Sequence, residues 1–408
     1  MRPSAWLGVL VVGLGCGEAS LEAADRSAVV GAIELEDVPE NPGRLRFFLV
    51  RPPGLTAPTG LVVALHGCAQ RAADFQQAGW DQAAARGGFL VLYPQTSAST
   101  GCFRWFEPGD TTPGRGELAS LEAAIRLVVA KENVPPRQVF VTGLSAGAAM
   151  AAVVLSQRPS LVSAGALFAG VPAGCATSMA EGLRCQAGVD QSPEAWARGV
   201  RREGPLPRVQ VWTGTRDTTV RPVMARELVE QWTAAHGLDA RADRREATGL
   251  VASEEHQRDG GQVVVQLLEV DGLGHAVPVA AGRRCGRSAP FIADVDVCAA
   301  EHASRFFGLL PGVELDELPP FSPDAGVADA GPAQDGGVVE VDGGRACVEE
   351  RALPWFHLVA GRGVRCGFFR TLVCGAGTGE LLGPTSSALP VLASSVDGVA
   401  WRAGACME

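Results

Sequence analysis

A serine stands between two glycines in Gly143-Leu144-Ser145-Ala146-Gly147, after the apolar run Gln138–Thr142 and before the Ala-rich stretch Ala146–Gln157. A strand that ends in this pattern and turns at once into a helix holds its serine on a tight elbow. Glycines flank the elbow because any Cβ there would collide with the neighbouring strand and helix. Ser145 would project above the sheet at a helix N-terminus, where free N–H groups and the helix dipole favour developing negative charge. The chemistry implied is nucleophilic attack on an acyl group, and it requires a base.

Six histidines could serve: His66, His236, His256, His275, His302 and His357. The order nucleophile, acid, histidine along such a sheet favours His275, in Gly272-Leu273-Gly274-His275 just beyond the apolar run Val263–Val270. His302 falls within a helix-like stretch, His236 and His256 in polar surroundings, and His357 near the C-terminus. The acid that orients the imidazole and stabilises its cation is expected at Asp217, in Gly214-Thr215-Arg216-Asp217-Thr218-Thr219-Val220 directly after Val209–Thr213. Asp271 is the rival, but it shares a loop with His275, whereas the acid usually comes from another. Asp217 could instead be a turn-capping residue.

A tetrahedral oxyanion needs donors placed before reaction. One is expected from the backbone N–H of Ala146, and the other from Cys68 in His66-Gly67-Cys68-Ala69, the loop after Leu61–Leu65. A Cys68–Cys102 disulfide would stiffen that loop and leave His66 as a packing residue. The competing idea, a free nucleophilic Cys68, lacks an adjacent base and ignores the available partner. Acyl transfer of this kind needs no metal and no organic cofactor.

These groups must be held by a sheet. Strand-like runs occur at Leu45–Val50, Leu61–Leu65, Phe89–Tyr93, Val139–Thr142, Ala164–Ala169, Val209–Thr213 and Val263–Val270. Helix-like segments fall at Ala72–Arg86, Glu117–Lys131, Ala146–Gln157 and Val223–His236. Continuous apolar strands separated by helices predict an α/β fold with a mostly parallel sheet covered on both faces.

The 408 residues are 47% hydrophobic and 20% charged with a net charge of -10, a globular composition whose acidity argues against a nucleic-acid partner. No apolar run reaches the ~18–20 residues of a membrane-spanning helix. Met1–Arg2 followed by Ala5–Leu14 reads as a signal sequence within residues 1–24. Cys16, in Gly13-Leu14-Gly15-Cys16, resembles a bacterial lipoprotein processing site and is a candidate lipid anchor; plain secretion with cleavage near Ala23–Ala24 is the other option. Eleven cysteines without a C-x-x-C pattern suggest five disulfides once Cys16 is set aside, and hence an oxidising compartment. The expected units are a catalytic domain over 28–312, a Pro/Gly/Ala/Asp-rich linker over 313–345 and a small module over 346–408. Four cysteines, Cys347, Cys366, Cys374 and Cys406, would staple that module.

Five motifs in this order and spacing resemble the polyhydroxybutyrate-depolymerase-like esterases: Leu65–Gln70, Cys102–Phe106, Val141–Met150, Gly214–Val220 and Gly272–His275. The resemblance spans about residues 30 to 310. It implies an α/β-hydrolase related to feruloyl and acetylxylan esterases, with Ser145 as nucleophile, Asp217 as acid, His275 as base, and Cys68 and Ala146 as oxyanion donors. The substrate would be a polyester such as polyhydroxybutyrate, or alternatively a plant-wall feruloyl or acetyl ester, met outside the cell. Phe103 and Trp105 would line the substrate cleft; the alternative is that both are core aromatics. The last segment more weakly resembles a small module appended to some of these esterases, either polymer-binding or merely stabilising.

Overall fold

The computed structural model describes residues 31–310 and the backbone of seven short strands between residues 339 and 403. The ten strands of the main sheet are β1 (Ala32–Glu34), β2 (Arg46–Val50), β3 (Leu61–Leu65), β4 (Leu90–Gln95), β5 (Val139–Leu144), β6 (Ala164–Phe168), β7 (Arg208–Gly214), β8 (Arg244–Thr248), β9 (Val251–Arg258) and β10 (Gln262–Val270). Their order is β1-β2-β4-β3-β5-β6-β7-β10-β9-β8. The six central strands, β4 to β10 in that order, pair in parallel. Both edges are antiparallel. The central strands read as unbroken apolar runs because helices cover both faces. Every residue of β3, β5 and β6 is buried.

The helices are α1 (Ala72–Phe75), α2 (Trp80–Gly87), α3 (Pro108–Thr111), α4 (Gly116–Glu132), α5 (Ala146–Gln157), α6 (Met179–Gln186), α7 (Pro193–Ala197), α8 (Val223–His236) and α9 (Ala299–Phe307). Helix α5 is buried around nearly its whole circumference, and its alanines let it lie close against the sheet. Phe307 of α9 stacks on Phe140 of β5 at 4.7 Å between ring centroids, which closes the domain over its central strand. Burying an aromatic of this size contributes on the order of 2–3 kcal/mol. Two short strands, β11 (Val277–Val279) and β12 (Ile292–Asp294), pair in parallel beside the rim.

Two departures from the sequence pattern have clear causes. The single helix expected over Ala72–Arg86 is broken: α1 passes through a short 3-10 turn to Gly79, whose φ of 91° ends it, and α2 starts afresh. Strands β8 and β9 give no strand signal, because their sequences, RREAT and VASEEHQR, are rich in charge. They form the outer antiparallel edge, where one face is solvated and charged residues pair across to the domain. Arg226 bonds Glu254 at 2.6 Å and Glu269 at 2.7 Å.

Cystines join Cys68 to Cys102, Cys175 to Cys185 and Cys285 to Cys298. Beyond the domain, β13 (Val339–Val341), β14 (Arg345–Ala352), β18 (Val391–Ser395) and β19 (Arg402–Ala403) form one antiparallel sheet. A second sheet holds β15 (Gly363–Cys366), β16 (Leu372–Gly375) and β17 (Leu381–Pro384). Strand β13 falls inside the stretch expected to be linker. The signal segment with Cys16, most of that linker and the cysteine side chains of the last segment lie outside the described residues. No helix among the described residues is long and apolar enough to cross a membrane.

Candidate active site

Strand β5 ends at Leu144 and α5 begins at Ala146, so the entire turn is Ser145. Its backbone sits at φ 54°, ψ −117°, a region that non-glycine residues rarely occupy. Strain of this kind costs on the order of 1–3 kcal/mol and persists only where the surroundings enforce it. Here β6 enforces it, since the Ser145 N–H donates to the Phe168 carbonyl at 2.9 Å. A Cβ at Gly147 would overlap the carbonyl oxygens of Leu65 and His66, and one at Gly143 would strike the Gly147 backbone. The elbow therefore admits no side chain at Gly143 or Gly147.

The expected acid and base, Asp217 and His275, follow neighbouring parallel strands whose exits are laced together. After β7, the Thr215 N–H donates to the Val270 carbonyl at 3.0 Å, and the Arg216 N–H to that of Leu273, also at 3.0 Å. This puts Asp217 against the loop that leaves β10. Its carboxylate is fully shielded. Oδ1 accepts the backbone N–H groups of Thr219 and Val220, both at 2.9 Å. Oδ2 accepts Nδ1–H of His275 at 2.7 Å. That bond fixes the imidazole tautomer and leaves Nε2 as the ring's free base. Asp217 is thus both a turn-capping residue and the histidine's partner. Asp271 instead accepts the Thr215 hydroxyl at 3.0 Å on the exposed side of the two loops.

A pocket of about 290 Å³, part of it open to solvent, brings Ser145 and His275 together with Gly67, Cys68 and Leu144. Gln186, Thr219 and Phe291 complete its wall. The loop carrying Cys68 is clamped from three sides. Its cystine ties it to Cys102. His66 Nδ1–H donates to the Gly67 carbonyl at 2.8 Å, and Nε2 accepts the Thr96 N–H at 3.3 Å. Gln70 accepts the Gly67 N–H at 2.8 Å and donates to the Pro290 carbonyl at 2.5 Å, linking this loop to the one bearing Phe291. Phe291 meets the His275 ring edge-on at 6.0 Å.

The match to known proteins follows this architecture. Residues 45–257 fit the family model described as esterase PHB depolymerase. Over 300 residues the chain is 38% identical to poly(3-hydroxyalkanoate) depolymerase C of Paucimonas lemoignei, covering 71% of this chain and 72% of that one. The chain belongs to the PHB depolymerase esterase family. It is 31% identical to an acetylxylan esterase of Coprinopsis cinerea, over 60% of this chain and 69% of that protein. Among solved structures, the acetyl xylan esterase from Aspergillus awamori superposes with a TM-score of 0.59 at 25% identity, covering 68% of this chain and 99% of that one. The chain is therefore an α/β-hydrolase and a carboxylic ester hydrolase. The family match includes Ser145 and Asp217 and ends before His275.

Of the residues singled out in the sequence, the pocket gathers Cys68, Ser145 and His275, with Asp217 behind the imidazole and Ala146 opening α5. Phe103 and Trp105 do not reach it. Phe103 is wholly buried with its ring 4.8 Å from that of His66, and Trp105 packs edge-on against Phe106 at 5.5 Å. Both are buried, as in the alternative reading of core aromatics, and neither lines the pocket. His256, expected in polar surroundings, is also buried, on the inner side of β9. The polar pocket residues Gln186 and Thr219 carry no recognisable sequence signal, although Thr219 lies only two residues beyond Asp217.

Beneath the Cys68 loop sits a carboxyl that no sequence motif marks. Glu117, at the start of α4, is completely buried. It accepts the Thr96 hydroxyl at 2.9 Å and the Arg104 N–H at 2.7 Å, and burial pushes its carboxyl up to about 7. Burial also lowers His66 to about 4, so that ring stays neutral near pH 7.

Proposed function

We propose that the chain is a secreted serine hydrolase that cleaves the ester bonds of poly(3-hydroxyalkanoate) chains or their oligomers through an acyl-enzyme on Ser145. In this cycle His275 Nε2 takes the Ser145 proton as Oγ attacks the ester carbonyl. Buried Asp217 stabilises the resulting imidazolium. The oxyanion is received by two backbone donors, the N–H groups of Cys68 and Ala146. Cys68 N–H has no acceptor among the described residues. Ala146 is the first residue of α5, where no intrahelical acceptor exists. The alcohol departs with the proton from His275, and water enters to repeat the sequence and free the acid.

The observation that carries this reading is the 2.7 Å bond from His275 to the shielded Asp217, with the imidazole sharing a pocket with an elbow-strained serine. The polyester assignment rests on the similarity to the Paucimonas lemoignei enzyme. Export rests on three cystines within one domain, which require an oxidising compartment. The hydrolase would occupy residues 28–312, and the segment 346–408 would be a separate module. A second reading, an acetylated-xylan or feruloyl substrate, is favoured by the superposition on the Aspergillus awamori acetyl xylan esterase.

The test is a turnover panel on the purified protein. Hydroxybutyrate oligomers, acetylated xylan and methyl ferulate would be compared, with Ser145→Ala as the blank. The oligomers should give the highest kcat/KM and the variant none. Faster release of acetate or ferulate would transfer the assignment to the second reading.

A further inference from the structure

The cycle above uses Ser145, His275, Asp217 and two backbone donors. Two polar side chains of the pocket, Gln186 and Thr219, have no part in it. Gln186 is the more confined, with only 9% of its surface exposed. It closes α6, next to Cys185 in the cystine to Cys175, and its carbonyl accepts the Arg221 N–H at 3.0 Å from the loop that follows Asp217. Its backbone is thus held from both sides. Its carboxamide, in contrast, has no hydrogen-bond partner among the described residues. The amide is not among the enclosed unpaired groups of the domain, so it keeps contact with solvent on a residue that lines the pocket, where a polar group of a ligand can pair with it.

We propose that the Gln186 carboxamide hydrogen-bonds the C3 oxygen of a 3-hydroxyacyl unit carried on Ser145, and so selects hydroxyacyl over plain acyl esters. The inference rests on the acyl-enzyme reading and names what that reading leaves open. Leu144 and Phe291 give the pocket apolar contact for a short carbon chain, and Gln186 gives it a donor and an acceptor at one point. A 3-hydroxyalkanoate unit has this character: a hydrocarbon segment with a single oxygen on its third carbon, free at a chain end or esterified within the chain. An acetyl group has no third carbon, and a feruloyl group has no oxygen on it. In the proposed cycle the alcohol leaves and the acyl unit stays on Ser145, so the wall that Gln186 shares with Ser145 is assigned to the acyl unit. Sites that hydrogen-bond a substrate oxygen discriminate strongly against analogues lacking it, because the buried protein group is then stranded.

The experiment compares ethyl 3-hydroxybutyrate with ethyl butyrate, which share a leaving group and differ only in the C3 oxygen. The wild-type protein should show the higher kcat/KM on the hydroxy ester. In Gln186→Met, a replacement of similar length without the amide, the ratio of the two kcat/KM values should fall about tenfold, and Gln186→Asn should fall between. A variant ratio within twofold of wild type overturns the proposal, as does a wild-type ratio of one or less, a readout that needs no variant to fold. Failure of the acyl-enzyme reading looks different: neither ester would be turned over, or Ser145→Ala would remain active on both.

Discussion

Two loops leave the same rim of the sheet carrying one histidine each, and they have been built for opposite ends. After β3, His66 is fully buried, spends both ring nitrogens on backbone groups, and is held neutral by desolvation. After β10, His275 gives one nitrogen to a shielded carboxylate and lines the pocket that also holds Ser145. In the proposed cycle, a carboxylate partner that can stabilise an imidazolium separates the base from the packing residue. Burial alone does not, since both rings are largely covered.

The sharpest way to break this contrast is to remove the charge from one side only. Asp217→Asn should lower kcat/KM on ethyl butyrate by roughly 10⁴-fold while changing the melting temperature little, because the wrong tautomer is stabilised in an intact fold. A loss below about tenfold would mean that His275 does not depend on its carboxylate.

The next effect sharpens the His66 side through the carboxyl beneath it. Glu117 holds the strand exit at Thr96 and the segment after Cys102 to α4. With its carboxyl raised from 4.5 to about 7 in the folded protein, the native state retains a proton that the unfolded chain has released between those values. Stability should therefore fall as pH rises from about 4.5 to about 7 and then level off, a contribution of about 3 kcal/mol at full development. Glu117→Gln should lack that slope in denaturant titrations run across the window. A variant with the wild-type slope would place the proton elsewhere.

His66→Leu strands the Thr96 N–H and the Gly67 carbonyl, at a cost of about 1–3 kcal/mol in unfolding free energy. Its kcat/KM should drop by about tenfold at most, through a displaced Cys68 loop, with the pH dependence of turnover unchanged. A loss matching that of Asp217→Asn would erase the distinction between the two loops. The smallest effect is expected at the surface pin joining the acid and base loops. Asp271→Asn should keep kcat/KM within about twofold and cost under about 1 kcal/mol, since its bond to Thr215 is exposed. A larger activity loss would revive Asp271 as the acid.

How much of the molecule is legible in its sequence depends on what each position needs. Ser145, Asp217 and His275 follow strand ends in a fold whose chain order is fixed, and the glycines around Ser145 are required by backbone contacts that any sequence at that elbow must avoid. The parallel centre of the sheet is legible for a similar reason: buried strands must be apolar throughout. Gln186 and Phe291 are not legible. They reach the pocket from the end of α6 and from a loop beside β12, and only tertiary packing decides where those ends lie. Phe103 and Trp105 mislead because an aromatic beside a cleft motif looks the same in sequence whether it faces the cleft or, as here, the core. The charged edge strands β8 and β9 escape notice because solvation on one face removes the pattern that reveals a strand.

That His275 makes Ser145 nucleophilic is tested most directly by treating the purified protein with a fluorophosphonate and mapping the modified peptide by mass spectrometry. The prediction is a single adduct on Ser145, formed at least about a hundredfold more slowly in His275→Ala. An adduct on another residue, or labelling of Ser145 at the same rate without the imidazole, would contradict it.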